Sequence, residues 1–116
     1  MRMVIEITDS EMLDDAINSG LNVVVDVWAE WCGPCAVVAP MLLELSEWNP
    51  HIVFYKLNVD ELPDLAKRFN VMSIPTLLFF KEKKLADTIV GAMSRQALGE
   101  KIYDAYGRPP YWMVAP

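Results

Sequence analysis

The chain contains two cysteines, Cys32 and Cys35, separated by only two residues in the stretch WCGPC. They are followed by an apolar run, AVVAPMLLELSEW, whose composition is typical of a buried helix. Pro34 suits the first turn of such a helix, so Cys32 is predicted to lie at its entry. Unpaired backbone N–H groups at a helix start stabilise a thiolate, which is the reactive form of cysteine. The pattern therefore indicates that Cys32 is a reactive thiol.

Cys35 lies one helical turn after Cys32, where side chains three residues apart face each other. A small adjustment would bring the two sulfurs into disulfide range. Gly33 lets another backbone approach closely, and Pro34 limits how far the turn can relax. We therefore predict thiol–disulfide exchange through a Cys32–Cys35 redox disulfide. Cys32 would attack a substrate disulfide, and Cys35 would resolve the mixed disulfide that forms.

Other roles for the two cysteines are a zinc site, an inert core pair or a structural staple. A structural zinc ion needs four nitrogen or sulfur ligands, and His51 adds only one, so no metal is predicted. Free cysteines bury easily, but the position at a helix start argues against an inert pair. A staple over so short a loop would add about 2 kcal/mol in the chain-entropy model. Stability is therefore not the expected reason for a bridge.

Asp26 interrupts the apolar run VVVDVWA, six residues before Cys32. An unpaired buried carboxylate costs several kcal/mol, and burial usually raises its pKa. Asp26 is therefore predicted to exchange protons near neutrality with Cys35, because the resolving thiol must lose its proton before it attacks. The alternative is a structural acid that pairs with a lysine or with backbone groups. Lys56, inside the apolar strand IVFYKLNV, is the candidate partner, unless its side chain merely reaches solvent at a sheet edge.

Composition favours a single globular domain with an acidic surface. The chain has 116 residues, of which 53% are hydrophobic and 22% charged, with a net charge of −6. Such a surface repels phosphate backbones, so no nucleic-acid partner is expected. The N-terminal patch is cut by Glu6 and lacks a signal-peptide core, and the run from Trp31 to Leu43 is too short to span a bilayer. We expect a cytoplasmic monomer without a membrane partner.

Strand and helix patterns alternate along the chain in the order β-α-β-α-β-α-β-β-α, which predicts a layered α/β domain. The strand candidates are MVIEI, NVVVDVWA, IVFYKLNV, TLLFF and ADTIV. Pro40 is expected to kink the helix after the cysteines. The residues predicted to cap or end helices are Thr8 or Asp9, Gly20, Asp60, Ser94 and Gly107.

Three stretches together resemble the thioredoxin family: VVVDVWAEWCGPCAVVAPML, YKLNVDELPDLAKRFNVMSIPTLLFFK and IVGAMS. They occur in the family's order between residues 4 and 106, and WAEWCGPC followed later by SIPTLLFF is a specific combination. The resemblance implies a thioredoxin fold, which is a three-layer α/β/α arrangement with a mixed, mostly five-stranded central sheet and four helices. It assigns residues 1–107 to this domain and leaves 108–116 as a C-terminal extension.

The resemblance also implies a cis Ile74–Pro75 bond beside the cysteines. A substrate segment would pair with the residue before Pro75 as an added strand, and Trp28 would pack beneath the site. The apolar rim that would bind substrate consists of Trp31, Val59, Ile74, Val90, Gly91 and Ala92. The implied activity is that of a protein-disulfide reductase that needs no cofactor. Its substrates would be disulfide-containing proteins, and its electron donor a thioredoxin reductase or an equivalent flavoprotein.

Two other functions remain open at this point. An oxidase or isomerase of folding proteins would use the same dithiol, although Gly-Pro between the cysteines favours a reductase by resemblance. A binding subunit of a larger assembly would use the fold and leave the dithiol incidental.

Three features depart from the family pattern. Ala36 stands where many thioredoxins carry a lysine, and this removes a positive charge beside the second cysteine. KEKK occupies a hairpin turn that often contains glycine, so Lys83 would be strained there if its φ were positive, unless the turn is longer or of a different type. The extension GRPPYWMVAP carries the apolar residues Tyr111, Trp112, Met113 and Val114. It would be a frayed end, or it would dock on the domain, on a second copy or on a partner.

Overall fold

The computed structural model describes residues 3–114 and shows one mixed sheet of five strands. The strands are β1 (Val4–Glu6), β2 (Asn22–Trp28), β3 (Ile52–Asn58), β4 (Thr76–Lys81) and β5 (Lys84–Val90). Their order across the sheet is β1-β3-β2-β4-β5. β3 is parallel to both β1 and β2, whereas β4 is antiparallel to both β2 and β5. β2 is central and covered on both faces, which explains its nearly continuous apolar sequence.

Helices cover both faces of the sheet. They are α1 (Ser10–Asn18), α2 (Gly33–Trp48), α3 (Pro63–Arg68), α4 (Arg95–Tyr106) and the short α5 (Tyr111–Val114). One core cluster joins the sheet to α2 and α4, and a second joins the opposite face to α1 and α3. The predicted three-layer fold is confirmed, and so is the order of its first nine elements. The short α5 was not among the four helices predicted.

Three of the residues predicted to cap or end helices are confirmed in that place, and one is wrong. Asp9 accepts a hydrogen bond from the backbone N–H of Met12 at 2.8 Å and begins α1. Ser94 begins α4 in the same way, and Gly107 ends it with a φ of 68°. Asp60 does not cap α3, because that helix starts at Pro63 without a side-chain cap. A different bond, described below, occupies the Asp60 carboxylate.

Only two residues, Glu82 and Lys83, form the turn between β4 and β5. Glu82 has a φ of 53° and Lys83 a φ of 68°, so both adopt the left-handed conformation. Two consecutive positive φ values are typical of the type I′ turn, whose twist matches that of a hairpin. The positive φ on which the expected strain at Lys83 depended is therefore observed. Glu82 shares the strain because the strands extend further into KEKK than the sequence suggested.

Tyr106 joins the last turn of α4 to the sheet. Its buried hydroxyl lies 2.8 Å from the carbonyl oxygen of Val23 and 3.0 Å from that of Phe80. Val23 is near the start of β2 and Phe80 near the end of β4, and these antiparallel strands meet here. The contact therefore lies at the end of the sheet opposite the end of β2 that leads to the cysteines.

The C-terminal extension begins after Gly107. The side chains of Tyr111 and Trp112 are 82% and 74% exposed, and Met113 is exposed as well. The side chain of Val114 and residues 115–116 lie outside the described part, so the role of this segment and the domain boundary at residue 107 stay predictions. Within residues 3–114, no helix has the length and apolar character needed to cross a bilayer.

Candidate active site

The two cysteines lie at the start of α2, as predicted. Cys32 is the N-cap residue, and its Sγ accepts a hydrogen bond from the backbone N–H of Cys35 at 3.2 Å. The two sulfurs are joined in a disulfide, with the Cα atoms 5.3 Å apart. Both side chains are nearly buried, with exposed fractions of 5% for Cys32 and 2% for Cys35. The helix start therefore directs backbone donors at the outer sulfur, which is the arrangement that stabilises a thiolate.

Asp26 lies in the middle of β2 and pairs in register with Lys56 on β3. Its side chain is 4% exposed, and its Oδ1 atom has no hydrogen-bond partner in the described part of the chain. Burial raises the pKa of Asp26 from its ordinary value of 3.8 to about 7, and the positive charge of Lys56 partly opposes this rise. Asp26 can therefore gain or lose a proton close to neutral pH.

A cavity of about 130 Å³ connects the acid to the cysteines. Its lining includes Asp26, Lys56, Cys32 and Cys35, together with Trp28 and Glu30 at its sides. A cavity of this size accommodates water, and its carboxylate and ammonium groups offer hydrogen-bond partners. The carboxyl group of Asp26 and the sulfur of Cys35 therefore face the same cavity.

Trp28 lies beneath the dithiol, as the resemblance implied. It packs against the small cluster formed by Ala29, Cys32 and Cys35. The Nζ atom of Lys56 lies 5.3 Å from the centroid of the Trp28 ring, within the range of a cation–π interaction. The indole therefore helps to hold Lys56 within the cavity rather than at an exposed sheet edge.

The Ile74–Pro75 bond is cis, as the resemblance implied. Val59 and Ile74 both pack against the cysteine cluster. The N–H of Gly91 donates to the carbonyl oxygen of Pro75 at 2.8 Å, so the end of β5 is held beside this loop.

The outer rim is open to solvent. Trp31 is 71% exposed and Val90 is 63% exposed, and Ala92 is exposed too. A groove of about 490 Å³ extends from Trp31 past Ile74 towards α3. The residues predicted to bind substrate thus include a partly buried group against the cysteines and an exposed group.

Two acidic side chains at the site were not predicted from the sequence. The Nε1 atom of Trp31 donates to Oδ2 of Asp60 at 2.9 Å. Glu30 lines the cavity that contains Cys35. The Trp31–Asp60 bond joins residues that are 29 positions apart, so no local pattern could have revealed it. For Glu30, the available signal in the sequence was its position directly before Trp31.

The histidine, cysteine and acidic residues of the described range do not form a metal site. No three of these side chains within residues 3–114 are grouped as metal ligands would be.

The geometry of the site supports thiol–disulfide exchange. Together with the fold that positions the two cysteines, this geometry places the chain among the dithiol–disulfide oxidoreductases. The family model "Thioredoxin" matches residues 3–104, which is most of the chain. The chain belongs to the thioredoxin family.

Relatives and solved structures agree with this assignment. The chain is 46% identical over 100 residues to a thioredoxin of Staphylococcus saprophyticus, an alignment that covers 85% of this chain and 94% of that protein. It is 41% identical over 103 residues to the chloroplastic M-type thioredoxin of Spinacia oleracea, covering 88% of this chain but 57% of that longer protein. The structure of a mutant thioredoxin from Halobacterium salinarum superposes with a TM-score of 0.85 at 28% identity, covering 94% of this chain and 96% of that one. The chain is thus a thiol–disulfide reductase with a CxxC dithiol.

Proposed function

We propose that Cys32 is the nucleophile and Cys35 the resolving thiol in the reduction of protein disulfides. The position of Cys32 at the N-cap of α2 is the observation that carries this proposal, because its sulfur accepts the Cys35 N–H while Cys35 lies deeper. The Cys32 thiolate attacks one sulfur of a substrate disulfide, and the other substrate sulfur leaves as a thiolate. Gly33 and Pro34 are exposed at this turn and let the substrate backbone approach.

The second step releases the substrate. Cys35 loses its proton and attacks Cys32, which breaks the mixed disulfide and forms the internal bridge. In total, the substrate disulfide gains two electrons and two protons, and the Cys32–Cys35 dithiol loses them. We assign the proton transfer at Cys35 to Asp26, since the two share one cavity and the pKa of Asp26 is raised to about 7. Lys56 stabilises the Asp26 carboxylate that must be present before it accepts this proton.

The rim around the dithiol provides a place for an extended substrate segment. The backbone before Pro75 would pair with this segment, and the apolar side chains of Trp31, Val59, Ile74 and Val90 would contact its side chains. The exposure of Trp31 and Val90 supports this assignment, because exposed apolar groups beside a reactive centre are typical of binding surfaces. Gly91 and Ala92 would border the same segment on the β5 side.

The partners follow from the chemistry. Each turnover consumes two electrons, so a reductant must restore the dithiol. The family supports a thioredoxin reductase or an equivalent donor, with disulfide-containing proteins as substrates. No resident cofactor is required, because the two sulfurs carry the electrons. A cytoplasmic monomer remains our prediction for compartment and oligomeric state.

A disulfide-reduction assay with a chemical dithiol as donor tests the assignment. The unaltered protein should accelerate the reduction of a protein disulfide, and Cys32→Ser should reduce the rate to that of the donor alone. The double variant Cys32→Ser/Cys35→Ser is the control for a binding role, which would survive the loss of both thiols. A Cys32→Ser variant that retained the full rate would refute the assignment of the nucleophile.

A further inference from the structure

Two acidic side chains, Glu30 and Asp60, lie close to the dithiol or to Trp31. Glu30 is exposed and lines the cavity that contains Cys35. Asp60 is exposed on the other side of Trp31, where its carboxylate accepts the indole N–H at 2.9 Å. Glu61 follows Asp60 and is exposed as well. Trp31 therefore follows an acidic residue in the chain and is bonded to a carboxylate from the loop after β3.

Basic side chains do not offset this charge. Position 36, directly after the second cysteine, is occupied by Ala36 and brings no ammonium group. Lys56 is inside the cavity beside Asp26, and Arg95 at the start of α4 is paired with Glu44. Lys67 is the cation among the residues that line the groove beside Trp31. The exposed acids next to Trp31 in the chain or in the loop after β3, Glu30, Asp60 and Glu61, thus outnumber this lysine, in keeping with the net charge of −6 of the whole chain.

An independent observation indicates which substrate groups fit the site beside Trp31. The indole of Trp31 is 71% exposed, while its N–H is fixed by Asp60. The ring is therefore held in one orientation with its surface open to a ligand. A lysine or arginine side chain is attracted to the face of an exposed indole, and nearby carboxylates strengthen the attraction by charge pairing.

We propose that the entrance formed by Trp31, Glu30 and Asp60 selects disulfides that carry a lysine or arginine next to the reactive cysteine. The cationic side chain lies on the Trp31 ring and pairs with one of the two carboxylates. This inference rests on the proposed function, because it specifies the substrates of the same dithiol. Substrates with acidic flanks are disfavoured by repulsion, which acts mainly on the rate of encounter.

Three disulfide peptides that differ only at the flanking position, with lysine, glutamine or glutamate, test the proposal. The second-order rate constant for reduction by the pre-reduced full-length protein is measured for each peptide at low and high salt. We expect the lysine peptide to react about tenfold faster than the glutamate peptide at low salt, and the ratio to fall to about threefold at high salt. Equal rates for all three peptides would overturn the proposal.

A charge-neutral variant and a matched control locate the effect. Glu30→Gln/Asp60→Asn removes both charges, while the amide oxygen of the introduced asparagine can still accept the Trp31 N–H. This variant should lower the low-salt ratio to about twofold. Asp104→Asn neutralises an exposed acid on α4 beside Lys101, at the end of the molecule where Tyr106 contacts β2.

The outcomes separate the two levels of inference. Asp104→Asn should leave the ratio close to that of the unaltered protein. The proposed local selection would be overturned if the double variant left the ratio of the lysine-peptide rate to the glutamate-peptide rate unchanged. It would also be overturned if Asp104→Asn lowered this ratio equally. A glutamine peptide that is not reduced at all would instead contradict the proposed reductase mechanism, whatever the flanking charge.

Discussion

Replacing Asp26 with asparagine removes the charge from the centre of the sheet and nearly preserves the size of the side chain. In the folded protein the pKa of Asp26 is raised to about 7, because burial disfavours the carboxylate. In the unfolded chain it has its ordinary value of 3.8. At about 1.4 kcal/mol per tenfold change in the acid dissociation constant, the difference amounts to about 4 kcal/mol.

The sign of the pH dependence follows from proton binding. Below about pH 4 both states hold the proton, so Asp26 adds nothing to the pH dependence. Between about pH 4 and pH 7 the unfolded chain releases the proton while the folded protein keeps it, so the free energy of unfolding falls as pH rises. Above about pH 7 the full cost of about 4 kcal/mol is reached. The asparagine variant has no such titration and does not lose this stability.

Denaturant unfolding of the oxidised proteins at about pH 4 and about pH 8 measures the effect. The stability of Asp26→Asn relative to the unaltered protein should rise by about 4 kcal/mol between these pH values. Other titrating groups cancel because they are the same in both proteins, and Asp104→Asn controls for a general change in charge. A relative stability that is the same at both pH values would refute the reasoning on burial.

The same variant tests the kinetic role. If Asp26 takes the proton from Cys35, Asp26→Asn should slow the release of substrate at least tenfold, since a positioned base contributes about a hundredfold or more. The pH profile of the unaltered protein should show an inflection near the pKa of about 7 that the variant lacks. A variant with both an unchanged rate and an unchanged profile would exclude Asp26 from the transfer.

Three further outcomes are expected. Cys35→Ser should accumulate mixed disulfides between Cys32 and substrate, detected by mass spectrometry; normal turnover would show that Cys35 does not resolve them. Changing the turn residues Glu82 and Lys83 to Asn-Gly should stabilise the fold by about 1 kcal/mol in denaturant unfolding, because both tolerate positive φ. An unchanged or lower midpoint would contradict the strain. Deleting residues 108–116 should leave the melting temperature within about 2 °C, whereas a loss above about 5 °C would show that the extension packs on the domain.

The sequence predicted those parts of the molecule whose signals are local. A polar residue within an apolar strand identified Asp26 and Lys56, and the spacing of Cys32 and Cys35 placed them on one helix turn. Caps such as Asp9 were predictable because each acts within three residues of its own position.

The predictions that failed depended on tertiary contacts, which the sequence does not reveal. Asp60 precedes a helix and has the right side chain for a cap, but a bond to the distant Trp31 occupies it instead. The length of the hairpin turn depended on how far β4 and β5 pair, so Glu82 was not expected to share the strain of Lys83. Short segments such as α5 leave a weak periodic signal in the sequence, because four residues make about one turn.

The contacts of the Tyr106 hydroxyl affect when the domain can complete its folding during synthesis. It contacts two neighbouring strands, β2 and β4. The ribosome completes both strands well before it adds Tyr106, because β4 ends at Lys81, 25 residues earlier. A nascent chain that stops short of this residue has every strand but lacks the buried end of the helix that closes one face of the core. Synthesis must therefore run nearly to the end of the domain before that face is sealed from water.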